Sequence, residues 1–371
     1  MDLKVGKPVT GKELIGREIL VNEIIRTLNA GQSVVLIAPR RFGKTSVMLE
    51  VLERLDNAGF FTGTIDFFTV PDLYRLAFEI TGQILKNKSL DTALEKLKSN
   101  LGEILTNIKF RTEIEGAEFI LNFGKPQRDQ WEQLKSSLKY IDSFALKHKK
   151  KICFAFDEFG DVEKLDGNEI IKLFRGIIQN QKQSVFLFSG SYESVMNKLF
   201  VSSKAPFYRM VRIIQPGYLE EPDLMKFLKA KFGELGIKVP DADIIRGIEF
   251  AGGHPYYIRL FIQEYYFLYL PENKLPDIAQ VFEKMLDSEN NYLEKLWDEI
   301  SGKREIKLIL LKIVETGKPY SGPEIHGINI SRAIKDLSGK GFIYSNGSSW
   351  SLTDPLFEKY VRTRILKMTG N

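Results

Sequence analysis

The segment Val34-Val35-Leu36-Ile37-Ala38-Pro39-Arg40-Arg41-Phe42-Gly43-Lys44-Thr45-Ser46 places an apolar run directly before a turn that ends in Gly-Lys-Thr. That order suits the capture of phosphates. Backbone N–H groups of the turn and of the next helix's first turn point at the anion. The Lys44 ammonium would neutralise the β- and γ-phosphates, and the Thr45 hydroxyl would ligate Mg²⁺. Gly43 stands where a side chain would block the phosphate. Against the general spacing G-x-x-x-x-G-K-[ST], Ala38 replaces the first glycine. The context nevertheless fits a P-loop, because a strand precedes the turn and a helix follows, with Val47, Val51, Leu52 and Leu55 along one side.

A Mg²⁺-dependent triphosphatase also needs an acidic residue at the tip of a buried strand. Ile152-Cys153-Phe154-Ala155-Phe156-Asp157-Glu158 supplies two, after five apolar residues. Carboxylates there cost desolvation unless a cation or hydrogen bonds compensate. Asp157 is expected to serve Mg²⁺ and Glu158 to polarise the attacking water. A further strand, Ser184 to Ser189, ends in Gly190-Ser191. Ser189 and Ser191 there either sense the γ-phosphate or cap the helix starting near Tyr192. Arg209, before the apolar strand Val211 to Ile214, either stabilises transition-state charge, in cis or across a subunit boundary, or is a surface arginine.

Strands separated by helices from Ser33 to Ile214 imply a mostly parallel sheet with helices on both faces, its ligand at the carboxyl ends of the strands. Before it, Gly16-Arg17-Glu18 opens a helical stripe of Leu20, Val21, Ile24, Ile25 and Leu28. Phe60 to Phe68 reads as a second core strand ending near Asp66. Alternation from Ile108 to Phe123 around Glu115-Gly116 reads as an inserted hairpin at about 106–125. Residues 218–300 are patterned as helices, broken at Gly252-Gly253-His254-Pro255, where Pro255 suits a first helical turn. The aromatic cluster Tyr256, Tyr257, Phe261, Tyr265, Tyr266, Phe267 and Tyr269 at helical spacing is core or a base-stacking platform. Residues 301–371 read as three helices and a small hairpin through Asn346-Gly347, a winged helix. Its third helix, Ile330 to Leu337, would bring Arg332, Lys335 and Lys340 to a major groove or would pack on protein.

With 371 residues and 43% apolar content, the chain has material for two or three domains. The expected division is an ATPase core at 1–217, a helical lid at 218–300 and a winged helix at 301–371. The formal charge of +5 is uneven: residues 301–371 hold 12 Lys/Arg against 6 Asp/Glu, leaving −1 for the remainder. Such a basic module favours an acidic partner such as nucleic acid, or is a solvated helix face. Lys147 to Lys151 reads as a solvated turn. No run reaches the roughly 18 to 20 apolar residues that span a bilayer, and Met1 to Lys12 lacks a signal-peptide core, so a cytoplasmic protein without a membrane partner is expected. The single cysteine, Cys153, excludes an internal disulfide and reads as a buried small hydrophobe.

Gly16-Arg17-Glu18, Ala38 to Ser46, Phe156-Asp157-Glu158-Phe159, Phe188-Ser189-Gly190-Ser191, Phe207-Tyr208-Arg209 and Gly252-Gly253-His254-Pro255-Tyr256-Tyr257 occur in this order. With them the chain resembles the archaeal ATPase family of the AAA+/STAND class over nearly its whole length. Thr353-Asp354-Pro355 is similar to that family's winged-helix ending. The resemblance implies an α/β, AAA+-like P-loop NTPase sheet, an α-helical lid whose proline packs near adenine, and a winged helix. It matches Lys44 and Thr45 to Walker A, Asp157 and Glu158 to Walker B, and Pro255 to the lid motif. It implies ATP as the nucleotide, held by Arg17, Pro39, Arg40, Arg41, Phe42, Gly43, Lys44, Thr45, Ser46 and Pro255. Mg²⁺ would sit on Thr45 and Asp157, with Lys44, Glu158 and Arg209 catalytic. His254 either approaches the phosphates or caps its helix. Phe207-Tyr208-Arg209 departs from the family in lacking a glycine before the arginine.

The expected function is an ATP-hydrolysing molecular switch, with an unidentified protein partner or self-association. The alternative is a double-stranded-DNA-binding ATPase similar to archaeal origin-recognition proteins. A small-molecule kinase fits least, because Glu158 suits activation of water and no acceptor site is recognisable.

Overall fold

The computed structural model describes residues 3, 5–87, 109–114, 117–122, 130–320 and 328–367. Two compact units divide the chain: Pro8–Pro216, and the segments Met1–Lys7 and Gly217–Asn371 together. The first unit is built on five parallel strands, β1 (Ser33–Ile37), β2 (Phe61–Asp66), β5 (Ile152–Asp157), β6 (Ser184–Gly190) and β7 (Val211–Ile214), in the order β2-β5-β6-β1-β7. The expected α/β architecture is therefore present.

Period-two alternation assigns each strand residue to one face of the sheet. Val35, Ile37, Phe154, Phe156, Phe186 and Phe188 enter one core, and Val34, Leu36, Cys153, Ala155, Val185 and Leu187 enter the other. The first core is aromatic and takes Leu76, Ile80 and Ile84 of α3 (Leu73–Lys86) and Leu134, Leu138 and Ile141 of α4 (Gln130–Lys147). Phe174 and Ile171 of α5 (Glu163–Ile178) join it. The second core is aliphatic and takes Val21, Ile24 and Leu28 of α1 (Glu18–Asn29) and Val47, Val51 and Leu55 of α2 (Lys44–Asn57). Cys153 is fully buried there, which raises its thiol pKa to about 12 and leaves it inert at neutral pH. A hairpin is present as β3 (Lys109–Ile114) antiparallel to β4 (Ala117–Asn122).

The second unit runs through α7 (Glu221–Glu234), α8 (Asp241–Ala251), α9 (Pro255–Tyr269), α10 (Ile278–Ser288) and α11 (Asn290–Ser301). It continues with α12 (Arg304–Thr316), α13 (Ile330–Gly339), the hairpin β8 (Ile343–Ser345) and β9 (Trp350–Leu352), and α14 (Pro355–Tyr360). Residues 218–300 and 301–371, expected as separate domains, both lie in this unit. The short helix expected from Pro323 lies outside the described residues. The aromatic stripe of α9 is core at Tyr257, Phe261 and Tyr265, while Phe267 is exposed.

Within this unit the Gly-Gly-His-Pro segment meets Thr353-Asp354-Pro355. Gly252 adopts a left-handed φ of 57°, and a β-carbon on it would lie 2.6 Å from Pro355 Cβ. Tyr257 donates its hydroxyl to Asp354 at 2.7 Å, and the same carboxylate accepts from the N–H groups of Leu356 and Phe357, capping α14. Among the described residues no helix is long and apolar enough to cross a membrane.

Candidate functional site

Strand order brings the two motifs together. β6 lies between β5 and β1, so the carboxylates at the tip of β5 stand one strand away from the loop that follows β1. β1 is also where chain order reverses, and ligands of open parallel sheets bind at the carboxyl ends beside such a point.

The loop turns through two left-handed residues, Arg41 at φ 67° and Gly43 at φ 81°, before α2 starts at Lys44. Ala38 is not among the positive-φ residues, so its methyl group is tolerated where the general motif has glycine. Lys44, only 4% exposed, donates from Nζ to the carbonyls of Ala38 at 2.9 Å and Pro39 at 3.0 Å and to Ser191 Oγ at 2.7 Å. Thr45 Oγ1 donates to Asp157 Oδ2 at 2.7 Å. Phe42 is buried, whereas Arg40 and Arg41 are exposed at the lip of the loop.

Asp157 is buried and receives three hydrogen bonds: from Thr45, from the Ser189 hydroxyl, and from the backbone N–H of Glu158 at 3.0 Å. These donors offset the desolvation of a carboxylate at the end of a core strand. Glu158 is held in the left-handed region at φ 46° and ψ 43°, a strained setting for a residue with a β-carbon. The Ser191 N–H donates to Glu158 Oε2 at 3.0 Å and the Ser191 hydroxyl donates to Oε1. Each serine of the β6 tip thus tends one carboxylate, and Ser191 also joins Glu158 to Lys44. Gly190 between them has no room for a side chain, because a β-carbon would lie 2.3 Å from Met196 Sδ.

Sequence reasoning missed Asp66. It ends β2 in register with Asp157, and burial raises its carboxyl above the ordinary range, opposed by a hydrogen bond from the Phe68 N–H. The charges of Asp157, Glu158 and Asp161 add to the rise. The strand ending at Asp66 was visible; its register against β5 was not.

The segment before α1 is strapped to α2. The Val9 N–H donates to Ser46 Oγ at 3.1 Å and the Gly11 N–H to Glu50 Oε2 at 2.7 Å, while Arg54 grips Glu18 at 2.6 Å. Arg17, immediately before α1, is buried, and burial lowers its guanidinium pKa to about 10, so it stays charged at neutral pH.

Other expected site residues lie apart. Arg209, exposed and at φ 59°, immediately precedes Met210 and β7. Since Val211 pairs with Ser33, the first residue of β1, Arg209 lies at the amino end of the sheet, opposite the phosphate loop. Its guanidinium rests over the Tyr208 ring at 5.2 Å. A role in cis on a phosphate at the carboxyl ends does not fit that position. Pro255 and His254 belong to the second unit. Pro255 is the first residue of α9 and His254 its N-cap, accepting from the Tyr256 N–H at 3.3 Å. On α13, Arg332 and Lys335 are exposed, and Lys340, just past its end, pairs with Glu299 at 2.9 Å.

Oxygen donors suit Mg²⁺, which keeps several ligands outside the protein. Among the described residues no group of three or more His, Cys, Asp or Glu converges on one point. One hydroxyl and one carboxylate, Thr45 and Asp157, do converge, and their chemistry would suit Mg²⁺ shared with substrate phosphates.

Comparisons with known proteins agree with the fold and show the family. The Walker-type ATPase PABY2304 of Pyrococcus abyssi is similar in structure, with a TM-score of 0.69, 17% identity, and 97% of this chain and 100% of that one covered. The Aeropyrum pernix ORC2 protein in its ADP form gives a TM-score of 0.51 at 14% identity over 94% of this chain and 92% of that one. Among curated proteins no sequence matches. The family model described as an ATPase domain predominantly from Archaea matches residues 14–261, which include the phosphate loop, both carboxylates and the start of α9. The chain belongs to that ATPase family.

Proposed function

We propose that this ATPase is a nucleotide-controlled switch that hydrolyses ATP with Mg²⁺ at the tips of β1, β5 and β6. The observation that carries the reading is the joining of Lys44, Ser191 and Glu158 by direct hydrogen bonds. Lys44 would transfer its ammonium from the carbonyls of Ala38 and Pro39 to the phosphates. Thr45 and Asp157 would hold Mg²⁺, which when bound neutralises phosphate charge. Glu158 accepts a hydrogen bond from water and aims its oxygen at the γ-phosphorus. The β–γ phosphoanhydride breaks, and the water's proton leaves with inorganic phosphate or through Glu158. Ser191 is a positioning residue that fixes the Glu158 carboxylate.

Arg17, at the strapped amino segment, is assigned to holding the nucleotide. Arg209 acts only on a nucleotide bound by a neighbouring copy. A switch requires that ATP and ADP favour different arrangements of the two units, each by its differential affinity.

A second reading is DNA binding through α13. It is favoured by the exposed Arg332 and Lys335 and the basic balance of residues 301–371. Steady-state MgATP hydrolysis with and without duplex DNA, with Glu158→Gln as control, tests both readings. Slow turnover, indifferent to DNA and abolished in Glu158→Gln, supports the switch. Stimulation that fades steeply with salt supports the DNA reading. Undiminished hydrolysis in Glu158→Gln removes the catalytic assignment.

A further inference from the structure

Two consecutive residues after β6 reach the phosphate loop by different side chains. Ser191 meets Lys44 at 2.7 Å. Tyr192 accepts a hydrogen bond from Arg40 Nη2 at 2.6 Å, and the Arg40 Cζ stands 5.1 Å from the centre of the tyrosine ring. We propose that Tyr192 is a positioning residue for ATP hydrolysis, holding the phosphate loop through Arg40 so that Ser191 stays on Glu158. The inference rests on the assignment of Glu158 to the attacking water.

Gly190 is fixed in the sheet by its pairing with Ile37, so the turn at 191–192 starts from a defined point. Arg40 directly follows the two residues, Ala38 and Pro39, whose carbonyls accept from Lys44. Tethering Arg40 therefore restrains the same stretch of backbone that seats Lys44. The Lys44 to Ser191 contact of the inner link and the outer link, Arg40 to Tyr192, cross the same gap between the β1 and β6 tips. The outer link combines a charge-assisted hydrogen bond with a cation over an aromatic face. Tyr192 is 44% exposed and Arg40 is also exposed, so the pair adds little to global stability. Its effect falls on the order of the loop and, through Ser191, on the aim of Glu158. Nucleotide affinity should change little, because the phosphate contacts come from Lys44 and backbone N–H groups.

The test is steady-state MgATP hydrolysis by the full chain, with binding of a fluorescent ATP analogue measured in parallel. Tyr192→Phe removes the hydroxyl and keeps the ring; Tyr192→Leu removes both. We expect kcat to fall about threefold in the first and about tenfold in the second, with the analogue's Kd within about twofold of wild type. In an Arg40→Ala background neither substitution should lower kcat further. Unchanged kcat in Tyr192→Leu overturns the proposal. So does a loss that persists in the Arg40→Ala background, or a fall in affinity parallel to kcat. Glu158→Gln separates the two levels: if it is inert while the Tyr192 variants match wild type, the tether alone is wrong. If Glu158→Gln still hydrolyses ATP, the site assignment fails and the tether with it.

Discussion

Replacing Gly190 by alanine would put a β-carbon 2.3 Å from Met196 Sδ, 2.7 Å from its Cγ and 2.9 Å from its Cε. Gly190 is absent from the positive-φ residues, so the conflict is one of packing and not of backbone strain. Met196 is fully buried, closing the short helix α6 (Glu193–Met196) against the aromatic core, and it can yield only by disturbing that core. Overpacking of this kind costs about 1–3 kcal/mol. Met196→Ala alone leaves a cavity and costs about 2–5 kcal/mol. Combined, the alanine at 190 occupies part of the space vacated at 196. The double variant should therefore lose less than the sum of the singles by about 1 kcal/mol or more. Urea unfolding of the full chain in a Trp297→Phe/Trp350→Phe background measures this, since Trp131 on α4 then reports the sheet-containing unit. Ser189 and Ser191 flank the site of strain, so ATP hydrolysis should fall in Gly190→Ala and recover in part in the double variant. Additive losses within about 0.5 kcal/mol would refute the argument that Met196 is what excludes a side chain at 190.

Burial raises the Asp354 carboxyl above its ordinary range, against the hydrogen bonds that Phe357 N–H, Tyr257, Leu356 N–H and Tyr292 give it. The folded state then binds its proton more tightly than the unfolded state does. The stability this group contributes is full below the unfolded value near 3.9 and is lost as pH rises through the folded value, with a slope of at most about 1.4 kcal/mol per pH unit. Asp354→Asn should flatten that part of the stability profile in thermal melts between pH 4 and neutrality; an unchanged slope would assign it to another group. Arg209→Ala should leave kcat within about twofold in samples dilute enough to be monomeric, because Arg209 stands at the amino end of the sheet. A tenfold loss in the monomer would place the arginine at its own chain's nucleotide.

The phosphate loop and its carboxylates were legible because each is a local statement. An apolar run fixes a strand, and the residues at its tip declare their chemistry. The hairpin at Lys109–Ile114 and Ala117–Asn122 was legible for the same reason, through alternation about Glu115-Gly116. What escaped depended on strand order. Nothing local says that β6 separates β5 from β1, which is what hands Glu158 to Ser191 and Arg40 to Tyr192. Asp66 escaped because its significance lies in register. The end of the sheet on which Arg209 falls required knowing that β7 runs parallel to β1 from Ser33 onward. The meeting of Gly252 with Pro355 needed a close approach between motifs about a hundred residues apart, which no spacing rule encodes.

The same strand order sets a schedule for the growing chain. β1 leaves the ribosome before both of its sheet neighbours, β6 and β7, which lie roughly 150 and 175 residues further on. At about 5–20 residues per second, the strand that carries the phosphate loop waits on the order of 10 to 30 s with both edges unpaired. During that interval Val34, Val35, Leu36 and Ile37 are an apolar segment in search of partners, shielded at most by α1 and α2, which flank it in sequence. Pairing of β2 with β5 must likewise wait for residue 152. Slowed synthesis between residues 40 and 180, or loss of chaperone protection over that span, should therefore reduce the yield of active ATPase more than comparable delays after residue 217.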